Sequence, residues 1–72
     1  MNKDSLQGNW QELKGKVKQK WANLTDDDIK AIEGNYEELC GRVQKAYGYE
    51  QGQANTEVDQ FLDEQYEVET DR

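Results

Sequence analysis

Ten residues of this chain recur in pattern twenty-six positions later. Gly8-Asn9-Trp10-Gln11-Glu12-Leu13-Lys14-Gly15-Lys16-Val17 aligns with Gly34-Asn35-Tyr36-Glu37-Glu38-Leu39-Cys40-Gly41-Arg42-Val43, and Trp21 then corresponds to Tyr47. A period of this length marks one supersecondary unit used twice. Two copies are too few for a solenoid, so the pattern predicts a pseudo-symmetric pair of helical hairpins.

The apolar residues say which elements these are. Leu6, Trp10, Leu13, Val17 and Trp21 fall on one face of an amphipathic helix, with Asp4 and Gln7 as its capping box. Thr25 before three aspartates predicts the start of a second, shorter helix, because side-chain acceptors and negative charge both suit a helix N-terminus. Ile29 and Ile32 are its expected buried positions, and Gly34 its end. A third helix puts Tyr36, Leu39, Val43 and Tyr47 on one face and stops at Gly48. A fourth, from Gln53 to about Gln65, turns Ala54, Val58, Phe61 and Leu62 inward. No stretch alternates with period two, and there is no proline. The expected fold is all-α, a small bundle of about four helices: two pseudo-repeated α-hairpins packed orthogonally. One helical domain spans residues 1–65, and residues 66–72 form an acidic, disordered tail.

Composition limits what such a bundle can do. Of 72 residues, 33% are hydrophobic and 35% charged, with a formal net charge of −7. A core this thin supplies about 3–5 kcal/mol at best, so self-association would help it. No apolar run reaches the length that spans a membrane, and the first residues lack the apolar stretch of a signal peptide. A single cysteine gives no internal disulfide. These features predict a cytoplasmic protein with no membrane insertion.

Catalytic machinery is not expected. The chain has no histidine, which removes the commonest general base and most zinc sites. Cys40 flanks Leu39 and Val43 and reads as a small apolar residue rather than an activated thiol. Asp26-Asp27-Asp28 lacks the alternating ligands and turn glycine of a calcium loop and reads as helix capping. No cofactor, metal or small-molecule substrate is expected.

Two features remain as candidate binding surfaces. Lys14 and Lys18 lie on one flank of the first helix's apolar stripe, Lys16 and Lys20 on the other. Their stems can cover core edges while the charges stay in water. Alternatively, they track the phosphates of a polyanion, with Trp21 or Tyr49 stacking on bases. The second feature is glycine. Gly15 and Gly41 stand opposite the apolar stripes, at equivalent repeat positions, where each costs a helix about 1 kcal/mol relative to alanine. Close backbone approach would account for them, by a helix of the same chain (the favoured reading), a second protomer or a foreign helix.

The opening Met1-Asn2-Lys3-Asp4, Gly8-Asn9-Trp10, Lys14-Gly15-Lys16-Val17-Lys18, Trp21, Leu24-Thr25-Asp26-Asp27-Asp28, Ile32-Glu33-Gly34, Leu39-Cys40-Gly41-Arg42-Val43-Gln44 and Tyr47-Gly48-Tyr49 resemble the CsbD-like (YjbJ-type) family of small bacterial general stress-response proteins. The resemblance covers roughly residues 1–62. It implies a stress-induced protein built of two orthogonal α-hairpins, with no established biochemical activity and no catalytic residues to carry over. Ala22-Asn23 replaces the glycine that commonly follows the family's tryptophan, and the acidic end is longer than usual.

The expected function is therefore that of a stress-induced interaction or protective protein, binding another protein or itself. The alternative is nucleic-acid or anionic-surface binding through Lys14, Lys16, Lys18 and Lys20. The sequence lacks the second glycine of a helix-hairpin-helix phosphate clamp near Ile32-Glu33-Gly34, which counts against the alternative.

Overall fold

The computed structural model describes the backbone of residues 3–67 and the side chains of residues 6–65. It contains five helices, α1 (Lys3–Gly8), α2 (Trp10–Lys20), α3 (Asp26–Ile32), α4 (Tyr36–Tyr47) and α5 (Gln51–Glu67), and no strand among the described residues.

The count exceeds the predicted four because the first helix is broken at Asn9, whose φ of −114° and ψ of 22° are not helical. Gly8 and Asn9 are both weak helix formers. The chain restarts when the Asn9 carbonyl accepts the N–H groups of Glu12 at 3.0 Å and Leu13 at 2.9 Å. The break coincides with a close approach. A Cβ built on Gly34 would stand 2.8 Å from the Gln7 Cα, so α1 lies directly on the turn between α3 and α4. α1 also begins at Lys3, which puts Asp4 inside the first turn and not at the cap position expected of it.

The other helix ends follow their local chemistry. Thr25 Oγ1 accepts from the Asp28 N–H at 3.1 Å while Asp28 Oδ2 accepts from the Thr25 N–H at 2.9 Å, a complete capping box for α3. That helix closes with two consecutive left-handed residues, Glu33 (φ 46°) and Gly34 (φ 81°). Asn35 caps α4 by accepting from the Glu38 N–H at 2.9 Å. Its repeat equivalent Asn9 does not cap α2 with its side chain. At the far end of α4, Gly48 (φ 71°) turns the chain, and the Gln44 carbonyl takes the N–H groups of Gly48 and Tyr49. α5 starts two residues before the predicted Gln53 and runs on to Glu67. The first two residues of the tail expected over 66–72 thus belong to α5, and the rest lie outside the described residues.

α4 is the central element. It packs against α1, α3 and α5, most extensively against α5. Leu6, Trp10, Leu13, Val17 and Trp21 are all buried, as are Leu39, Cys40 and Val43 of α4 and Ala54, Val58, Phe61 and Leu62 of α5. The rings of Trp21 and Phe61 pack tilted at 58° with centroids 5.1 Å apart, tying the end of α2 to α5. Of the two isoleucines expected inside, Ile32 is fully buried, whereas Ile29 is half-buried at the surface of α3. Tyr36 and Tyr47 are likewise half-buried, because each phenol reaches a polar partner. Tyr36 Oη donates to Asp59 Oδ1 at 2.6 Å, and Tyr47 Oη accepts from the Asn23 N–H at 3.2 Å. No described helix is long and apolar enough to cross a membrane.

Candidate functional site

The sequence repeat reappears as a pair of equivalent grooves. Trp10, Gln11, Lys14, Gly15 and Lys18 of α2 line a groove of about 550 Å³ whose other wall is α3. Tyr36, Glu37, Cys40, Gly41 and Gln44 of α4 line a second, of about 410 Å³, closed by α5. All five residues of the first wall have their partners, twenty-six positions on, in the second. On the facing wall only Ile29 has a partner at that spacing, Asn55. Residue spacing on one helix produces this: positions i, i+1, i+4, i+5 and i+8 form a continuous strip along one side.

Gly15 and Gly41 therefore have a place in the molecule, though not the favoured one. A Cβ added at either would meet nothing within 4 Å among the described residues. The reading in which another helix of the same chain packs on them is overturned. Each glycine opens a groove wall at the surface, and the two lie in separate grooves.

The chemistry of the grooves differs. The α2–α3 groove has an apolar floor of Trp10 and half-buried Ile29, with Lys14, Lys18 and Lys30 around it and Asp26 and Glu33 on the α3 side. Lys18 forms an ion pair with Asp26 across its mouth, and this pair holds the Asp26 carboxyl below the usual range. The α4–α5 groove is neutral to acidic. Within it Cys40 is buried, consistent with an apolar role, and Tyr36 is anchored to Asp59. Burial, then the Asp59 hydrogen bond, pushes the Tyr36 phenol above the ordinary tyrosine range.

The four candidate lysines are split as their spacing predicts. Lys14 and Lys18 face the α2–α3 groove, whereas Lys16 and Lys20 line a notch against Phe61, Glu64 and Gln65 of α5. Lys20 Nζ also sits 5.6 Å from the centre of the Trp21 ring. Trp21 itself is only 2% exposed, so the stacking on bases considered for it is excluded in this fold. Tyr49 is stacked on Tyr47 with centroids 5.4 Å apart.

Sequence reasoning did not single out Arg42. Its Nε donates to Glu38 Oε2 and its Nη1 to Asp28 Oδ1, both at 2.8 Å. The contact to Glu38 was legible as an i,i+4 pair on α4. The contact to Asp28 crosses between helices and had no local signal.

Comparison with known proteins places this architecture. The CsbD-like family profile matches residues 4–56. The UPF0337 protein YjbJ of Escherichia coli is 52% identical over 59 residues, covering 82% of this chain and 86% of the relative. A UPF0337 protein of Pectobacterium atrosepticum is 51% identical over 63 residues, 88% of this chain and 91% of the relative. Another from Xanthomonas axonopodis pv. citri is 51% identical over 61 residues, with 85% and 88% covered. These names state no enzymatic activity. No solved structure gives a significant match. A profile spanning most of the described helices and relatives at half identity over nearly their whole length agree, and the chain belongs to the CsbD-like family.

Proposed function

We propose that this chain is a binding protein of the bacterial stress response, acting by protein contact at the α2–α3 groove and not by catalysis. The observation that carries the reading is Gly15. It lowers the helix-forming tendency of α2, nothing among the described residues packs on it, and it opens the wall of a groove with an apolar floor. The stress setting comes with the family resemblance. The lone cysteine supports a cytoplasmic location. The units α2–α3 and α4–α5, which the twenty-six-residue spacing relates, are read as one helical hairpin used twice and packed orthogonally.

The alternative, polyanion binding through Lys14, Lys16, Lys18 and Lys20, has less support. Those lysines point to two different sides of α2, Lys18 is paired with Asp26, and Trp21 has no free face. Titration of short duplex DNA into the isotopically labelled protein separates the readings. Protein contact predicts no saturable amide shifts along residues 14–20 at physiological salt. Saturating shifts there, lost when Lys16 and Lys20 are replaced by Gln, would replace this reading with the polyanion one.

A further inference from the structure

We propose that the α2–α3 groove receives an acidic amphipathic helix of a partner protein, and that each chain binds one. The inference rests on the protein-contact reading above and gives the partner its chemistry. Within a chain of net charge −7, three lysines gather around this groove against two carboxylates, Asp26 and Glu33, so its lining is net positive. Lys14 and Lys18 stand one helical turn apart on α2, a spacing that carboxylates at i and i+4 of an incoming helix can match. Lys30 faces them from α3. Lys18 is already engaged by Asp26, so Lys14 and Lys30 supply most of the attraction. Between them lie Trp10, 9% exposed, and half-buried Ile29, which offer an apolar residue somewhere to seat. Gly15, with open space where its Cβ would be, lets the visiting backbone come close.

The duplicate groove argues for the same partner by contrast. Cys40 stands where Lys14 does, Gln44 where Lys18 does, and Asn55 where Ile29 does. Tyr36, in the place of Trp10, is tied down to Asp59. The second groove is built on the same five helix positions without the cations or the apolar floor of the first. One copy of the repeat keeps the acidic-helix chemistry and the other does not, which sets the stoichiometry at one.

The probe is a synthetic amphipathic peptide of Leu, Ala and Glu, with Leu on one face and flanking Glu at i,i+4 spacing. It is titrated into the labelled full chain at about 0.15 M salt. The expected result is a single saturable site with shifts at Gln11, Gly15, Ile29 and Lys30. Lys14→Glu/Lys30→Glu weakens it about tenfold or more, while Lys16→Glu/Lys20→Glu, which changes net charge equally, shifts it about twofold or less. Circular dichroism confirms that both variants fold. Absent binding, equal losses in the two variants, or shifts centred on Gly41 would overturn the inference and leave the protein-contact reading standing. Saturable duplex DNA binding along residues 14–20 would overturn that reading as well.

Discussion

Arg42, in the middle of α4, donates to one carboxylate oxygen of Asp28 at 2.8 Å while the other oxygen caps α3 at the Thr25 N–H. One side chain thus ends a helix and fastens it to the central element. Neither partner belongs to the apolar core, yet together they set where α3, and with it one wall of the α2–α3 groove, sits against α4.

The Asp28 carboxyl is held below its ordinary range, first by the Thr25 backbone N–H and then by Arg42. A depressed folded-state value means that the stabilisation is present above the unfolded value near 4 and is lost as pH falls through the folded one. Asp26, lowered by Lys18, acts in the same direction. Thermal melts followed by circular dichroism should therefore show Asp28→Asn less stable than the parent at pH 7, with the gap closing as pH falls through the lowered Asp28 value. A gap that is constant with pH would contradict the assignment. Thr25→Ala should cost about 1 kcal/mol through the lost cap.

Tyr36 and Asp59 make the corresponding link between α4 and α5. The phenol is raised, so its contribution is complete below pH 10 and disappears as pH climbs through the folded value. Absorbance titration near 295 nm, taken as the difference between the parent and Tyr36→Phe, should show the Tyr36 phenolate forming at higher pH in the folded chain than in the unfolded one. Tyr36→Phe should lower stability by about 1 kcal/mol at neutral pH.

The glycines divide by sign. Gly15→Ala and Gly41→Ala should each raise stability by about 0.5–1 kcal/mol, since both are helical and open. Gly34→Ala should lower it by about 2 kcal/mol or more, because a left-handed φ of 81° and contact with the Gln7 Cα are both unfavourable for a side chain. Denaturant melts check all three, and destabilisation at Gly15 or Gly41 would mean those faces are already covered.

What was legible in the sequence followed local rules. The buried stripes of α2, α4 and α5 came from helical spacing, and the Thr25 cap and Gly48 stop came from end chemistry. The repeat announced two equivalent units but not that their equivalence would surface as grooves, since a groove needs the neighbouring helix as its second wall. The break at Asn9 was missed for a related reason. Leu6 and Trp10 keep helical spacing across it, while its coincidence with Gly34 against Gln7 is visible only in three dimensions. Ile29 looked like core because it shares a face with Ile32, but it lines the open α2–α3 groove and is left half-buried.

Charge exchange tests the central claim most directly, that Lys14 and Lys30 make the α2–α3 groove a seat for an acidic helix. The Lys14→Glu/Lys30→Glu variant is titrated with the amphipathic peptide and with its counterpart carrying Lys in place of Glu. The account predicts that the variant loses the acidic peptide and gains the basic one at the same residues, Gln11, Gly15 and Ile29. Basic-peptide shifts scattered over the acidic α5, with the groove silent, would contradict it.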